Sequence, residues 1–486
     1  MTAPLVILAA TFAAAIALGL LARRGHVMNL EQWSVGGRGF GTIFVFLLMA
    51  GEIYTTFTFL GGSGWAYGKG APALYILCYG ALAYALSYFM LPPVWRYAKA
   101  RRLISQADFF AAKYDSPALG ALVALVAVAA LVPYLVLQLK GMGIIVSEAS
   151  YGRVSPTAAV WAGTAALILY VVVSGVRGSA WTAAFKDLMI LSVAVVIGVH
   201  LPFHYYGGYR AMFAAIDRAR PGFLTLPPSG MSASWFISTV LLTTVGLYMW
   251  PQTFAGAYTA KNEDVFRKNA IVLPLYSLVT LFVFFAGFAA ILQVPGLRGA
   301  DGDLSLLRIS EQTFAPGWVG VIGAAGLLTA LVPGSMILLT AGTILAQNVY
   351  RVAAPGATDR TVSRLARSLV PFVALFSVWL TLRGGEAIVP LLLMGYNMVT
   401  QLFPSLVLCL GERPLVTTAG AAAGIVAGEA TVAYLTVSGA SVASLAPWAP
   451  QAVKDLNVGI VALIVNCVVL AVVTAATRRS AAAVRS

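Results

Sequence analysis

The amino-acid sequence predicts an all-α polytopic membrane protein with thirteen transmembrane helices. Of its 486 residues, 60% are hydrophobic and only 10% are charged, which is typical of integral membrane proteins. Apolar segments of about 20 residues, the length that crosses the hydrocarbon core, recur along the chain. Lys and Arg fall mainly between those segments. We therefore expect a single transmembrane domain over residues 1–486, with the lipid bilayer as its partner.

The predicted spans lie near residues 4–22, 40–66, 72–95, 117–147, 155–173, 182–203, 233–256, 269–293, 317–349, 366–382, 387–409, 415–437 and 457–476. The first could be mistaken for a secretory signal peptide. Its basic residues Arg23 and Arg24, however, follow the apolar segment, whereas a signal peptide carries them in front. We interpret this segment as a retained N-terminal helix.

The loop charges predict the orientation of the chain, because Lys and Arg accumulate in cytoplasmic loops. With the N-terminus outside, 20 basic residues fall in cytoplasmic segments and 9 in external segments, while Lys140 and Lys186 lie within spans. This bias predicts an external N-terminus and an internal C-terminus in a bacterial-type cytoplasmic membrane. The net charge of +14 forms no basic stripe with interleaved aromatic residues, so we expect no nucleic-acid partner.

Ten of the spans divide into two groups of five, at 40–203 and 233–409, once the first span and the last two (415–476) are set aside. Because five is odd, the two groups must have opposite orientations. The first helix of each group is interrupted, by the glycines of GEIYTTFTFLGGSGWAYG and by Pro251 in GLYMWPQTFAG, since proline removes a helix hydrogen bond. Paired broken helices in two inverted halves indicate a binding site at the membrane midplane.

Other functional classes find little support in the sequence. It contains no HExxH or GxSxG motif and no cluster of acids and histidines in a loop, so nothing predicts enzymatic chemistry. Cys78, Cys409 and Cys467 have neither a CxxC spacing nor a nearby histidine, so we expect no disulfide and no metal held by them. Paired broken helices favour alternating access over a permanently open pore. The sequence therefore predicts a secondary transporter that is not an enzyme and has no cofactor beyond its coupling ion.

Three segments, VGGRGFG with TFTFLGGSGWAYGKG, VVSGVRGSAWTAAFKD and LVPGSMILLTAGTILAQNVYR, resemble the solute:sodium symporter family. Two others, LVLQLKGMG and MWPQTFAGAYTAKNEDVFRKNAIVLPLY, resemble its monocarboxylate permease branch. The resemblance covers most of residues 30–410. It implies a LeuT-type fold of two inverted five-helix repeats, with one extra N-terminal and two extra C-terminal helices, and substrate bound between the first and sixth core helices.

The resemblance also implies a function. We expect import of small organic anions, of the lactate, pyruvate or acetate type, by a chain that works as a monomer. The alternative is sodium-driven uptake of another small solute such as an amino acid.

The resemblance places a sodium ion on the backbone carbonyls of Gly51 and Tyr54, with Thr58 facing the substrate. In the ninth span the family's site continues with one carbonyl and two adjacent hydroxyls, and the matching positions are Ala330, Pro333 and Gly334. Both hydroxyls are missing, and Ser335 lies one position further along. The coupling ion is therefore Na⁺ or H⁺, with the proton favoured because the sodium site is incomplete.

A lysine stands near the expected sodium site. Many family members carry an acid directly after WT in the sixth span, whereas this chain has Ala183 there and Lys186 one helical turn later on the same face. An ammonium could do the electrostatic work of a sodium ion, so we hypothesise that Lys186 takes its place and couples transport to protons. In the alternative interpretation Lys186 snorkels to the interface, paired with Asp187.

Two more ionisable residues lie within spans, where such groups usually face the bundle interior and serve a transport pathway. Glu52 lies near the midplane just before the first break, and Lys140 lies in the fourth span beside Gln138. Either the two form a structural ion pair, or they act on a carboxylate substrate and on protons. Trp250 and Gln252 at the second break are further candidates for substrate binding.

Overall fold

The computed structural model describes residues 3–22, 24 and 29–483. Arg23 and Arg485, which contribute to the predicted charge bias, lie outside the described residues. Every regular element in the described part of the chain is helical, and one isolated parallel bridge joins Phe40 to Ala260. The prediction of an all-α protein is confirmed.

The bundle consists of α1 (Ala3–Ala22), α2 (Thr42–Gly51), α3 (Ser63–Lys69), α4 (Tyr75–Ala100), α5 (Pro117–Ala149), α6 (Pro156–Tyr206), α7 (Ala233–Gly246), α8 (Pro251–Tyr258), α9 (Asp264–Ser277), α10 (Thr280–Gln293), α11 (Pro316–Ile344), α12 (Asp359–Arg383), α13 (Ile388–Val399), α14 (Thr418–Ser438) and α15 (Val458–Ala483). Short connecting helices lie at Leu30–Val35, Gln106–Lys113, Tyr209–Ala219, Ser305–Thr313, Arg351–Ala353, Phe403–Val407, Val442–Leu445 and Gln451–Lys454. Tight 3₁₀ turns occupy Gly36–Arg38, Ala71–Leu74, Leu247–Met249, Gly299–Leu304 and Thr400–Leu402, and wide π turns occupy Phe57–Gly62 and Leu345–Tyr350.

Side-chain caps and prolines determine where several long helices begin. The Ser116 and Ser155 hydroxyls accept hydrogen bonds from backbone N–H groups in the first turns of α5 and α6. A proline follows each serine directly, at the position where a missing N–H costs nothing. The sequence motif Ser-Pro thus sets the start of the two helices that flank the candidate site.

The number of spanning helices differs from the predicted thirteen. Within the described residues, nine helices are long and apolar enough to cross a membrane, or ten if the bent pair Ala233–Met249 and Pro251–Tyr258 is one span. The difference arises because α2 has only ten residues and because the sixth helix runs unbroken in hydrogen bonding past a kink at Gly175. The eleventh predicted span is also divided, into α13, a 3₁₀ turn and a short helix. The exact count is not confirmed.

Helix α11 forms the centre of the bundle. Of the apolar window that includes it, 94% is buried, against 22% for α1 and 28% for α15. A helix that is apolar on all faces and buried belongs to the core, whereas one that is apolar and exposed faces lipid. The helices that pack around α11 therefore enclose the interior, where a binding site would lie.

Both predicted helices are interrupted, but the first interruption lies at residues 52–55, ahead of the glycine run, which is itself helical. Helix α2 ends at Gly51, and α3 begins only at Ser63, after an unwound stretch and a wide turn. In the second half, α7 ends at Gly246, Trp250 has extended backbone (φ −65°, ψ 126°), and α8 leaves at an angle of 49°. Backbone groups freed in this way need partners inside the protein.

Candidate functional site

Glu52 connects the two helix breaks. Its Oε2 accepts a hydrogen bond from Gln252 Nε2 at 3.1 Å and one from the Tyr134 hydroxyl at 3.4 Å. Gln252 lies in the first turn of α8, so this bond joins the break of one half of the chain to that of the other. The structure thus brings Glu52 and Gln252 together, two of the residues singled out in the sequence.

Aromatic rings surround this carboxylate. Trp250 packs against Tyr134 with 4.7 Å between ring centroids and against Tyr396 with 5.3 Å. All three rings are buried. Sequence reasoning missed Tyr134 and Tyr396 because each is a single aromatic residue within an apolar helix, and no spacing distinguishes such a residue from ordinary packing.

A cavity of about 20 Å³ adjoins the carboxylate and is lined by Glu52, Thr58, Tyr79 and Thr280 among others. A volume of about 10–15 Å³ is needed for one water molecule. The cavity therefore has room for about one water and not for an organic anion. Substrate binding requires that the surrounding helices move apart.

Hydroxyl groups stabilise the first break. The Thr58 hydroxyl donates to the freed carbonyl of Ile53 at 2.6 Å and accepts from the Thr55 N–H at 3.1 Å. The Thr56 hydroxyl donates to Gln138 Oε1 at 2.7 Å, which ties the break to α5. Gln138 Nε2 is buried and makes no hydrogen bond. It is a free donor next to the unwound segment.

Lys140 lies away from Glu52. Its ammonium donates to the carbonyl oxygen of Glu386, just before α13 begins. No ion pair between Glu52 and Lys140 occurs in the described part of the chain, so the structural bridge considered from the sequence is not formed. The two residues point apart because Gln138, and not Lys140, is on the side of α5 that meets the break.

Lys186 lies at the first break. Its Nζ is 3.3 Å from the carbonyl oxygen of Gly51 and 3.2 Å from that of Tyr54, and 3.0 Å from Asp187 Oδ1. The side chain is fully buried, so it does not snorkel to an interface. An ammonium has three N–H donors, and these three oxygens match that number. They include the two carbonyls that the resemblance assigns to sodium.

Three residues of α11 stand at or beside the positions that the family resemblance matches to its sodium site. Ala330, Gly334 and Ser335 are all buried. The Ser335 hydroxyl is already engaged, with Ser179 Oγ at 2.7 Å and the Val332 carbonyl at 2.6 Å. Within the described residues no group of three or more His, Cys, Asp or Glu side chains could hold a metal ion.

Comparison with known proteins gives the family. The sodium:solute symporter family profile matches residues 33–428, which is most of the chain. The protein belongs to the sodium:solute symporter family. Among similar proteins of this family, the uncharacterized symporter YhjB of Bacillus subtilis (strain 168) is 62% identical over 483 residues, 99% of each chain.

Two further comparisons extend this result. A monocarboxylate transport permease protein of Rhizobium johnstonii is 28% identical over 391 residues, which cover 78% of this chain and 77% of the permease. The structure of a substrate-bound, outward-open Na⁺-coupled sialic acid symporter superposes with a TM-score of 0.74, at 18% identity and 97% coverage of both chains. The family resemblance noted in the sequence is confirmed, and the chain is an integral membrane protein with the fold of secondary transporters.

Proposed function

We propose that this symporter-family protein imports small monocarboxylates by alternating access and couples their uptake to protons. The observation that carries the proposal is the position of Lys186 Nζ, 3.3 and 3.2 Å from the carbonyl oxygens of Gly51 and Tyr54. Those are the carbonyls at which the family resemblance implies a sodium ion. The ammonium of Lys186, which is covalently part of the chain, occupies that position instead.

The ammonium disfavours sodium at the same place. Two unit charges 4 Å apart repel each other by about 4 kcal/mol at an effective dielectric constant of 20. Loss of a proton from Lys186 removes that charge and one of its three donors, which weakens its hold on the carbonyls of the first break. Protonation and deprotonation of this single group would therefore change how firmly α2 is held to α6.

The proposed substrate site lies between the breaks. We assign substrate contacts to Glu52, Thr58, Gln138, Trp250 and Gln252. Gln138 Nε2 is a buried N–H donor without a hydrogen-bond partner among the described residues, and a buried unpaired donor costs about 1–3 kcal/mol. A carboxylate would accept from such donors. The similarity to a monocarboxylate transport permease supports the same class of substrate.

The proposed topology has thirteen spans, an external N-terminus and an internal C-terminus. It adds three spans to the ten of the structure: the broken helix α2–α3, the division of α6 at Gly175, and α13 with the short helix after it. Residues 40–203 and 233–409 then form the inverted repeats, followed by two helices within 415–476. Both breaks and Lys186 belong to one chain, so we propose that a monomer transports.

Uptake into liposomes tests the proposal. Purified protein is reconstituted, and labelled lactate, pyruvate, acetate and proline are offered under a proton gradient or a sodium gradient alone. We expect accumulation of the carboxylates with an acidic exterior and none from sodium alone. Sodium-driven uptake of proline with no carboxylate transport would establish the alternative, a sodium-coupled amino-acid symporter.

A matched pair of variants isolates the coupling step. Lys186→Met removes the buried ammonium, and Lys268→Met removes an exposed lysine of α9 that makes no hydrogen bond or ion pair in the described structure. Lys186→Met is expected to lose proton-driven accumulation while still exchanging labelled for unlabelled lactate. Lys268→Met should behave as the parent. Unchanged proton-driven accumulation by Lys186→Met would refute the coupling role.

A further inference from the structure

The glycine run in the first broken helix makes three separate close contacts. A Cβ atom at Gly61 would lie 2.9 Å from Ile388 Cγ2 at the start of α13, and one at Gly62 would lie 2.7 Å from Phe284 Cε1 of α10. A Cβ at Gly64 would lie 2.9 Å from the Gly302 carbonyl oxygen. Real Cβ atoms do not approach so closely, and small residues allow helices to pack at such distances. Each glycine therefore meets a different neighbour.

A buried carboxylate joins two of these neighbours. Asp303, in the turn Gly299–Leu304, is 1% exposed. Its Oδ2 accepts a hydrogen bond of 3.0 Å from the Ile388 N–H, one of the N–H groups that the first turn of α13 leaves without a helical partner. Its Oδ1 is the atom that a Cβ at Gly64 would meet at 2.9 Å. Asp303 thus joins the turn to α13 by a hydrogen bond and lies against α3 at Gly64.

Further contacts close the same end of the bundle. The Tyr67 hydroxyl of α3 donates to the Val294 carbonyl at 2.7 Å and accepts from the Leu297 N–H at 3.3 Å. Lys140 donates to the Glu386 carbonyl immediately before α13. In the topology proposed above, this end faces outward. The chain is therefore closely packed at Gly61, Gly62 and Gly64, and hydrogen bonds of Tyr67 hold α3 near its C-terminal end.

We propose that Gly61 and Gly62 of the wide turn and Gly64 of α3, closed against Ile388, Phe284 and the turn carrying Asp303, form the external gate of the transport site. We call this contact the glycine gate. The proposal rests on the transport function proposed above. The substrate needs more room than the cavity of about 20 Å³ next to Glu52, so α3 must separate from these neighbours to admit it from outside. Tightly packed interfaces tend to switch between discrete arrangements.

Distance measurement between two spin labels tests the gate directly. One label is placed at Lys69→Cys, exposed on α3, and the other at Leu382→Cys, exposed at the end of α12. The two exposed native cysteines, Cys78 and Cys467, are first replaced by alanine, whereas Cys409 is buried and stays. No substrate is added, so the result can be interpreted even if no carboxylate is transported.

The first comparison pairs two glycines of the same helix. Gly64→Ala adds a methyl group inside the gate, whereas Gly68→Ala adds one where nothing lies within 4 Å. We expect Gly64→Ala to produce a second population several ångströms longer, and Gly68→Ala to match the parent.

The second comparison pairs two neutral replacements of Asp303. Asn keeps an acceptor for the Ile388 N–H and Ala does not, so the ratio of open to closed gate should be roughly tenfold higher for Asp303→Ala than for Asp303→Asn, as expected for an unpaired buried N–H. Monodisperse elution confirms that each variant is folded. The proposal is overturned if Gly64→Ala matches Gly68→Ala or if Asp303→Ala matches Asp303→Asn in the distance distribution.

Discussion

Lys186→Met is expected to destabilise the protein strongly, and a second change, Asp187→Asn, is expected to recover part of the loss. The two side chains form an ion pair of 3.0 Å and are 0% and 6% exposed. Removing one partner of a buried ion pair costs about 3–5 kcal/mol, because the other charge stays buried without compensation. Here that charge is the Asp187 carboxylate, for which the Tyr276 hydroxyl is the other nearby polar group.

The structure allows the losses of stability caused by the separate substitutions to be ranked. Lys186→Met also removes the contacts of Nζ with the carbonyls of Gly51 and Tyr54. At 3.3 and 3.2 Å these distances exceed the usual 2.7–2.9 Å of charge-assisted hydrogen bonds, so the two contacts contribute less to stability than the ion pair does. Asp187→Asn alone leaves the ammonium with both carbonyls and should be the milder single change. In the double variant neither position of this ion pair carries a charge. Its loss should be smaller than the sum of the single losses by about 1–3 kcal/mol.

Thermal unfolding of the purified variants in detergent, followed by tryptophan fluorescence, measures this order. We expect the parent to be most stable, followed by Asp187→Asn, with Lys186→Met lowest and the double variant above it. Lys268→Met serves as the control for loss of an exposed lysine. If the double variant shows the full sum of the single losses, the two groups are not coupled and the reasoning is refuted.

The remaining predictions concern Glu52, Gln138 and Asp303. Glu52→Gln should lower the initial rate of lactate uptake about tenfold or more in a folded protein, because the hydrogen bonds between the two breaks lose their charged acceptor; an unchanged rate would exclude this role. Gln138→Leu should raise the KM for lactate about fivefold or more through loss of a free buried donor, and an unchanged KM would remove Gln138 from the substrate site. Burial raises the pKa of Asp303 to about 6, while Lys140 opposes this shift and Asp301 adds to it. Asp303 therefore binds its proton more tightly in the closed gate than in an open gate, where its carboxylate is solvated. Closure should therefore be favoured at low pH and weaken as the pH rises through about 6; the spin-label distances measure this, and Asp303→Asn should remove the dependence.

The sequence predicted the elements that follow from composition and from backbone chemistry. The apolar segments indicated an all-helical membrane protein, and Pro251 and the glycines after Glu52 indicated the two breaks. The break at Pro251 was predictable because proline removes an N–H regardless of what surrounds it, whereas the first break lies at residues 52–55 and not at the glycines, which are in helical turns. The sequence also predicted an interruption between the spans 155–173 and 182–203, and the structure has a kink at Gly175 there, although hydrogen bonding continues across it in one long helix.

Partners between distant segments were harder to predict. Placing Lys186 near the carbonyls of Gly51 and Tyr54 was possible because the family resemblance supplied the neighbourhood, although ion binding there stays a prediction. The contact of Lys140 with the carbonyl of Glu386 could not be anticipated, because any residue supplies a carbonyl. The contact of Asp303 could not be anticipated either, because its partner is the backbone N–H of Ile388, a group that every residue except proline supplies.

The segment from Gly51 to Gly62 connects the proposed coupling group, Lys186, to the proposed glycine gate. At its α2 end the carbonyls of Gly51 and Tyr54 accept from Lys186 and the Glu52 carboxylate accepts from Gln252, and at its α3 end the glycine gate begins. A change in the charge of Lys186 alters the hold on two carbonyls of this segment, and opening the gate requires α3, at its other end, to move. Coupling between such sites needs an element with two arrangements that both sites bias. We propose that this segment is such an element, because the side-chain hydrogen bonds of Thr56 with Gln138 and of Glu52 with Gln252 join it to the rest of the bundle and can be exchanged.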